Sequence, residues 1–343
     1  MKQTAVVILN WNGRKYLEKF LPLVVEHSRE LADVVVIDNA SKDDSISFIS
    51  AHFPEVLIIK LEKNHGFAKG YNLGLAQIQH EFLVLLNSDV EVTSGWIEPL
   101  VAYMEAEPTM AACQPKILDY NRKTHFEYAG AAGGYMDKDG FVFCAGRIFN
   151  EFEEDIGQYT ANQEVFWASG AAMFIRRHAY MEVGGLDEDF YAHMEEIDLC
   201  WRLKNRGYSI GSCRSSHVYH VGGGTLDRLN PLKTYLNFRN NLYMLLKNYR
   251  NGSVLIKLCR RMTLDGIAAF RFLTEGKMTY FLAVLRAHFT FYTKVPLMLR
   301  KRKAEADLGT KVNLTGMYKR SIINQFFLKK NAIFSSLKES DFY

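Results

Sequence analysis

The nine residues AVVILNWNG, at positions 5–13, decide the fold class. A continuous apolar run rich in β-branched residues is typical of a strand buried on both faces of a sheet. The run stops at Asn10 and Gly13, and an amphipathic helix is predicted to follow. The apolar residues of this helix are Tyr16, Leu17, Phe20 and Leu21. A buried strand that leads through a short polar loop into a helix is the basic unit of an α/β sheet.

The same unit repeats along the next eighty residues. Further strands are predicted over 33–37, 56–61 and 81–86, and further helices over 45–52 and 66–79. Alternation at this spacing predicts an α/β fold, Rossmann-like, with a mostly parallel central sheet flanked by helices. Glycines and aromatic residues alternate within 110–165, where short antiparallel strands and loops are expected. A helix is predicted over 195–205, and a helical C-terminal extension over 231–343.

Polar residues stand at the ends of three predicted strands: Asn10, Asp38 and Asp89. In open α/β sheets, ligands bind beyond the carboxyl ends of the strands. The loop after the first strand contains neither GxGxxG nor GxxxxGKS/T, the glycine-rich sequences with which dinucleotide dehydrogenases and P-loop enzymes hold phosphates. Side chains, together with a metal ion, are therefore expected to bind a nucleotide at this edge.

The two strand-end aspartates each have an alternative interpretation. Asp38 is suited to accept hydrogen bonds from a nucleobase or ribose, but an aspartate in such a loop also caps helices. Asp89 is suited to bind Mg²⁺ or Mn²⁺, which also takes diphosphate oxygens, but it is equally a common turn residue. Its position beside the expected nucleotide pocket favours the metal site.

Three glycines recur at intervals of four in NHGFAKGYNLG, residues 64–74. On a helix, Gly66, Gly70 and Gly74 would form one bare stripe, and each costs about 1 kcal/mol of helix stability relative to alanine. The stripe therefore indicates either close packing against the sheet or close approach of a ligand.

The predicted helix 195–205 begins with three carboxylates in four residues. At 100° per residue, Glu195 shares a stripe with Asp198 and Arg202, and the last two are spaced for an i,i+4 ion pair. Glu196 falls on the mostly apolar face, where desolvation would raise its pKa and suit it to general-base catalysis. An acidic first turn also complements the helix dipole, and this role is expected to account for Glu195.

His217 and His220 precede a glycine-rich stretch at 222–225. Their spacing would allow both to bind one metal ion, although a histidine at the end of a strand more often has a structural role. The glycines indicate a loop that closes over bound substrate.

Taken in order, these segments resemble the glycosyltransferase family 2 enzymes, in their rhamnosyltransferase-like branch. The matching segments are VILNWNG (7–13), VIDNAS (36–41), NHGFAKGYNLGL (64–75), LNSDV (86–90), GGLDEDFY (184–191), EEID (195–198) and HVGGGT (220–225). The resemblance implies a GT-A fold for a nucleotide-sugar-binding and catalytic domain at 1–230, followed by a separate helical region at 231–343. It also implies inverting transfer of rhamnose or another hexose from a dTDP- or UDP-sugar. The acceptor is expected to be a hydroxyl of a saccharide or lipid-linked sugar in cell-surface polysaccharide synthesis.

The resemblance also assigns roles to individual residues. Asp38 takes the base-recognition role, Asp89 matches the last aspartate of the DxD motif, and His220 completes a site for Mg²⁺ or Mn²⁺. Asn87 stands at the first DxD position, which leaves Asp89 as the sole metal-binding carboxylate of the motif. The residues expected to contact the donor are Asn10, Asn12, Asp38, Asn64, Gly66, Asn72, Asn87 and Ser88.

The catalytic base of the family is the second acid of a Glu-Asp pair, which is Glu196 in this chain, with Glu195 as the second candidate. Glu in place of Asp reaches one methylene farther. Two other classes are alternatives: a nucleotidyltransferase, which would release pyrophosphate, and a non-catalytic nucleotide-sugar-binding protein. The joint presence of Glu196 and Asp89 argues against the second.

The net charge of +4 hides a strong asymmetry between the two ends of the chain. Residues 1–225 contain 20 basic and 31 acidic residues, whereas residues 226–343 contain 22 and 7. A basic, aromatic, helical region is typical of an anchor on an anionic membrane surface, although it also fits an ordinary basic subdomain. Nucleic acid is not expected, because it would not explain the strand-end carboxylates. The residues expected to meet lipid are Lys233, Arg239, Arg260, Arg261 and Arg300–Lys303.

The five cysteines are scattered and form no CxxC pair, so neither a disulfide framework nor a zinc cluster is indicated. A reducing compartment is the simplest interpretation. The first apolar run is too short for a signal peptide, and the most apolar later segment, 280–299, contains Arg286, His288 and Lys294. We therefore expect a cytoplasmic protein held peripherally at the membrane, without a spanning helix.

Overall fold

The fold is described from a computed structural model that covers residues 2–222, 230–309 and 311–343. Its centre is one large sheet, built from the buried apolar runs of the sequence. The strands of this sheet are β1 (Thr4–Asn10), β2 (Ala32–Asp38), β3 (Leu57–Lys60), β4 (Phe82–Leu86), β5 (Val90–Val92), β6 (Met110–Asp119), β11 (Gln163–Glu164), β12 (Ala172–Arg176) and β13 (Ser209–His220). A smaller sheet contains β7 (Gly134–Asp137), β8 (Val142–Cys144), β9 (Arg147–Ile148), β10 (Glu151–Phe152) and β14 (Met317–Tyr318).

The strands of the large sheet are arranged in the order β11–β13–β6–β12–β4–β1–β2–β3, and β5 pairs with β13. The first four strands of the chain pair in parallel, and so do β6 and β13. β12 runs antiparallel to both of its neighbours, β4 and β6. The mostly parallel sheet expected from the sequence is therefore confirmed. The expectation of only short antiparallel strands in 110–165 is wrong for Met110–Asp119, because this long buried strand pairs inside the main sheet.

Helices cover both faces of the large sheet. They are α1 (Arg14–Ser28), α2 (Ser45–His52), α3 (Phe67–Leu75), α4 (Glu98–Ala106), α5 (Arg177–Glu182), α6 (Glu195–Asn205), α7 (Pro231–Asn248), α8 (Val254–Thr274) and α9 (Met278–Asp307). The predicted helices 45–52 and 195–205 are confirmed, but α3 is shorter than expected. It cannot include Gly66, whose φ of 75° is left-handed.

The glycines of α3 allow this helix to lie directly on the sheet. A Cβ atom on Gly74 would lie 2.1 Å from Ile37 Cδ1, and one on Gly70 would lie 3.0 Å from Leu9 Cδ1. Of the two interpretations of the stripe, close packing is therefore the one that these two positions support.

The end of the chain returns to the body and is not helical throughout. After α9, residues Met317–Tyr318 add β14 to the small sheet in parallel with β7. The aromatic rings of Tyr318, Phe334 and Phe342 then pack against Phe143. The expected helical C-terminal extension is confirmed by α7, α8 and α9, whereas residues 311–343 contain β14 and only short helical turns, at 324–328, 334–336 and 339–341.

A buried network of ions joins α6 to the C-terminal helices. Asp198 is fully buried and receives hydrogen bonds from Arg202 Nε and Lys247 Nζ, each at 2.8 Å. Lys247 also contacts Asp187 at 2.5 Å, and Lys301 contacts the same carboxylate. The predicted pair of Asp198 and Arg202 is thus confirmed. Because α7 takes part in this network, it is bound closely to the N-terminal part of the chain, and the domain boundary at residue 230 stays a prediction.

Asp198→Asn is expected to lower the free energy of unfolding by about 3–5 kcal/mol, because it leaves two buried cations without their shared carboxylate. Glu18→Gln is the matched control, since Glu18 forms an exposed i,i+4 pair with Arg14. Its effect is expected to stay below about 1 kcal/mol. Denaturant titration followed by circular dichroism measures both, and equal values for the two variants would contradict the role of the network.

Several basic residues expected to meet lipid are used inside the protein. Arg261 is buried and donates to Asp265 at 2.8 Å, and Arg239 donates to the Phe190 carbonyl at 2.9 Å. Arg302 donates to the Leu246 carbonyl. Lys301 pairs with the carboxylates of Asp187 and Asp189. Because each of these four side chains has a partner within the fold, the structure gives no support to the membrane role predicted for them, and that role stays a prediction.

Candidate active site

The carboxyl ends of β1 and β2 bring a buried amide and a carboxylate together. Asn10 lies opposite Asp38 in the parallel register, and its Nδ2 donates to Asp38 Oδ1 over 3.3 Å. Asp38 also accepts from the backbone N–H of Ser41 at 3.3 Å. Helix capping by Asp38 is wrong, because α2 begins after Asp44 and has no side-chain cap. Asn10 Oδ1 is buried and has no hydrogen-bond partner among the residues that the structure describes.

The loops around this pair are held by asparagines. Asn12 Oδ1 accepts from the backbone N–H of Lys42 at 2.7 Å. Asn64 Oδ1 accepts from Gly66 N at 2.8 Å and from Asn39 Nδ2 at 3.0 Å. The structure therefore places Asn12, Asn64 and Gly66 beside the ends of β1 and β2, and their contact with a sugar donor stays a prediction. Asn39, which the sequence did not predict as a site residue, also belongs to this group and directly follows Asp38.

Asn72 is not part of this group. Its Oδ1 accepts from Tyr180 Oη at 2.7 Å and from Leu186 N at 3.0 Å, and its Nδ2 donates to Leu186 O at 2.8 Å. At 100° per residue it points away from the Gly70 and Gly74 side of α3 that packs on the sheet. Its polar groups hold the segment before α6 and give it a structural role.

Asn87, Ser88 and Asp89 follow β4 at the same edge. The Asn87 N–H donates to Ala171 O at 3.0 Å. A Cβ atom placed on Gly13 would lie 3.8 Å from Ser88 Oγ and 2.4 Å from Asn10 Oδ1. The absence of a side chain at residue 13 thus lets the ends of β1 and β4 approach each other.

Asp89 and His220 form a buried pair at the end of β13. Asp89 Oδ1 lies 3.2 Å from His220 Nε2, and the two residues are 7% and 6% exposed. Burial alone would raise the pKa of Asp89, but the hydrogen bond and charge of His220 hold it below its usual range. His217, the other predicted histidine, instead stacks edge-on against Tyr219 and is not part of this pair.

Glu127 lies on the other side of the His220 ring, where its Oε2 is 3.2 Å from Nδ1. Burial would lower the pKa of His220, but the charge of Glu127 and the hydrogen bonds to both carboxylates raise it to about 10. Sequence reasoning missed Glu127, which belongs to none of the motifs. β6 and β13 pair in parallel with Asp119 opposite His220, and this pairing brings the segment after β6 to the histidine.

The side chains of Asp89 and His220 offer ligand atoms that suit Mg²⁺ or Mn²⁺. Adjacent ligands of an octahedral ion, each about 2.1 Å from it, lie about 3 Å apart, and the 3.2 Å between Asp89 Oδ1 and His220 Nε2 agrees with this. In the described part of the chain, no three His, Cys, Asp or Glu side chains converge as a complete metal site. A site with two protein ligands suits an ion that also binds substrate phosphates.

Glu127→Gln is expected to weaken Mn²⁺ binding by about 10-fold or more, because a carboxylate behind a metal-binding histidine fixes the ring and its tautomer. Electron paramagnetic resonance of free Mn²⁺, titrated in the presence of UDP, measures this without any turnover. Asp119→Asn is the control, since Asp119 pairs with the backbone of His220 and bonds the N–H of Asn121. Unchanged affinity in Glu127→Gln would contradict the positioning role.

Each of the two glutamates at the start of α6 has a carboxylate oxygen that is buried. Oε2 of Glu195 and of Glu196 has no hydrogen-bond partner among the described residues. Burial raises the pKa of Glu196 to about 7, against the opposing effect of backbone N–H groups. Burial raises the pKa of Glu195 well above its usual range, and the charges of Glu196 and Asp198 add to this.

Position separates the two glutamates. A Cβ atom on Gly170 would lie 3.5 Å from Glu196 Cβ, and the next residue, Ala171, accepts the Asn87 hydrogen bond at the end of β4. Glu196 is thus connected to the strand-end site through one short segment. The charge of Asp198 acts on Glu195, as expected for residues on the stripe that the helical wheel predicts.

α7 holds the loop that precedes these glutamates. Asn240 Nδ2 lies 2.7–2.9 Å from the carbonyl oxygens of Phe190, Ala192 and His193. The loop needs this support because Tyr191, His193 and Met194 all have positive φ values, between 67° and 71°. Sequence reasoning did not identify Asn240, since nothing in the basic C-terminal region links it to the loop.

Only part of the glycine-rich stretch after His220 is described. Val221 N donates to Asp89 O at 3.1 Å, which ties the start of the stretch to the Asp89–His220 pair. The predicted closing loop at 222–225 lies outside the described residues from 223 onward.

A large mixed sheet with helices on both faces and polar side chains gathered at its strand ends is the architecture of the GT-A glycosyltransferases. The chain belongs to glycosyl transferase family 2, whose model matches residues 5–184. It is thus a glycosyltransferase of this type, acting on nucleotide sugars.

Two curated proteins illustrate the range of relatives. The N-acetylglucosaminyl-diphospho-decaprenol L-rhamnosyltransferase of Mycobacterium tuberculosis is 24% identical over 280 residues, which cover 78% of this chain and 90% of the relative. The low-salt glycan biosynthesis hexosyltransferase Agl10 of Haloferax volcanii is 23% identical over 242 residues, covering 69% of this chain and 73% of that one.

Solved structures share the fold. TarS 1–349 of S. aureus in complex with UDP-GlcNAc has a TM-score of 0.54 at 15% identity, over 90% of this chain and 89% of that chain. GalNAc-T7 with UDP, GalNAc and Mn²⁺ has a TM-score of 0.55 at 18% identity, over 72% of this chain. The match spans about half, 48%, of the GalNAc-T7 chain. These similarities confirm the predicted GT-A type of sheet.

Proposed function

We propose that this protein is an inverting, metal-dependent glycosyltransferase that moves a hexose from a nucleotide diphosphate to an acceptor hydroxyl. The observation that carries the proposal is the Asp89–His220 pair at the strand ends, together with Glu196 beside the segment 170–171 that bonds to Asn87, within a family 2 chain. Asn10 and Asp38 would bind the nucleoside, with Asn12, Asn64, Gly66, Asn87 and Ser88 around it.

The chemistry follows from the positions of these groups. A divalent ion held by Asp89 and His220 would supply positive charge for the departing diphosphate. Glu196, as the carboxylate, takes the proton of the acceptor hydroxyl while its oxygen attacks the anomeric carbon. The bond between that carbon and the diphosphate oxygen breaks, and its electrons leave with the nucleoside diphosphate. Because the enzyme contributes no nucleophile, the anomeric configuration inverts.

The substrates follow from the relatives. One relative is named for rhamnosyl transfer to a diphospho-decaprenol carrier, and one structure was solved with UDP-GlcNAc. We propose a dTDP- or UDP-linked rhamnose or other hexose as the donor and a lipid-linked saccharide as the acceptor, in cell-surface polysaccharide synthesis. The reaction would take place at the cytoplasmic face of a membrane, and the five free cysteines are consistent with that reducing side.

Incubation with a panel of nucleotide sugars and Mg²⁺ or Mn²⁺ tests this function. Phosphorus NMR should show a nucleoside diphosphate released from one donor above the others. Release of pyrophosphate would instead identify a nucleotidyltransferase. Stabilisation by donors in thermal melts, with no turnover of any of them in the presence of acceptor lipid, would identify a non-catalytic binding protein.

A further inference from the structure

An apolar stripe runs along the outer face of α9. The stripe consists of Met278, Leu282, Leu285, Phe289, Tyr292 and Leu299. These side chains are between 47% and 72% exposed. Their spacing alternates between three and four residues up to Tyr292, and Leu299 follows seven residues later, so they share one side of a helix about 45 Å long.

The stripe is not the side of α9 that forms the core. The buried residues of α9 are Ala283, Val284, Ala287, Phe291 and Met298. They lie on the opposite side of the helical wheel, where Phe291 contacts Tyr243 of α7. α9 therefore has two apolar sides, and only one is covered by the fold.

α8 presents a similar face. Ile256, Ile267 and Phe270 are between 63% and 70% exposed, and Arg260 and Arg271 lie along one edge of them on the helical wheel. Contiguous exposed apolar surface of this extent marks a site of interaction with a protein or a membrane. No helix in the described ranges is long and apolar enough to cross a bilayer.

Charge decides between these occupants. Residues 254–303 contain 11 basic residues and two acidic ones. Of the two acids, Asp265 is buried against Arg261, and Glu275 pairs with Arg271 and Lys277. In a symmetric dimer packed through the stripe, exposed cations such as Arg286 and Arg300 would face the same cations of the second copy and repel them. An anionic lipid surface would instead neutralise them.

We propose that the exposed apolar faces of α8 and α9 insert into the interface of an anionic bilayer, with Arg286 and Arg300 at the level of the lipid phosphates. Membrane binding by these faces would hold the active site near a lipid-linked acceptor, and only this purpose rests on the proposed function. An amphipathic helix lying in the plane of the interface binds through its apolar area and through attraction to anionic lipid. The anchor is therefore a defined helical face, distinct from the basic residues that are used inside the fold.

Co-sedimentation with vesicles tests the proposal on the full chain. Wild-type protein should bind to vesicles of phosphatidylcholine mixed with phosphatidylglycerol. It should bind much less to vesicles of phosphatidylcholine alone. The double variant Leu285→Asp/Phe289→Asp should reduce the partition coefficient by about 10-fold or more, because it replaces apolar area of the stripe with negative charge. A tenfold reduction corresponds to about 1.4 kcal/mol. Both side chains are exposed, so circular dichroism should show the fold unchanged.

Ile156→Asp is the matched control, because Ile156 is 79% exposed and belongs to neither α8 nor α9. It should bind vesicles like the wild type. The proposal is overturned if wild-type protein ignores anionic vesicles, if the double variant still binds, or if Ile156→Asp loses as much. It is also overturned if sedimentation velocity shows a wild-type dimer that the double variant dissociates.

Hydrolysis of a soluble nucleotide sugar separates this proposal from the proposed function. The double variant should hydrolyse donor at the wild-type rate, because both side chains lie on the exposed side of α9 and neither belongs to the proposed site. If wild-type protein turns over no donor, the enzymatic proposal fails, whereas the vesicle result still decides the membrane surface.

Discussion

Glu196→Gln is expected to lower kcat for sugar transfer by about 10²–10⁴-fold, the usual contribution of a positioned general base. The amide has the size of the carboxylate but cannot take the proton of the acceptor hydroxyl. Donor binding should be retained, because the residues proposed to bind the nucleoside, Asn10 and Asp38, lie at the ends of β1 and β2. Steady-state kinetics measures kcat, and titration calorimetry with donor measures binding.

Glu195→Gln is the matched control for this result. Burial and the neighbouring charges raise the pKa of Glu195 well above its usual range, so a neutral amide at this position is expected to change little. The pH profile gives a second readout. Because burial raises the pKa of Glu196 to about 7, kcat/KM should rise tenfold per pH unit below that value and level off above it. Full activity of Glu196→Gln with loss in Glu195→Gln would reverse the assignment.

Asp89→Ala should remove divalent-dependent activity, with a loss of about 10²–10³-fold in kcat, because charge on the departing diphosphate is no longer neutralised. It leaves His220 as the only side chain of the pair. Activity measured across a Mn²⁺ and Mg²⁺ series, with and without chelator, checks this result.

Glu91→Gln is the control for the metal site. Glu91 follows Asp89 by two residues on β5 but pairs with Lys123 at the surface. Its variant should keep the wild-type dependence on metal. Wild-type activity that persists in chelator would contradict the metal site, whatever the Asp89 variant does.

Local patterns were sufficient to predict the parts of the fold that depend on local periodicity. The buried strands, the helix 195–205 and the pairing of Asp198 with Arg202 each follow from residues close in sequence. Strand ends also predicted where polar residues would gather, because parallel strands end at one edge. Asn10 and Asp38 meet there for this reason.

The remaining features depend on contacts between distant segments. Glu127 reaches His220 only because β6 and β13 pair in parallel. Asn240 supports the loop before α6 from a helix nearly fifty residues later. Asn72 was placed in the donor pocket from its motif, yet the structure binds it to Leu186, more than a hundred residues away. No periodicity in a single segment encodes such pairings.

The configuration of the released sugar tests the central claim most directly. Proton NMR of the products formed from the preferred donor, recorded before the sugar equilibrates, should show nucleoside diphosphate and a sugar of inverted anomeric configuration, formed only when Mg²⁺ or Mn²⁺ is present. A retained configuration would contradict direct attack assisted by Glu196.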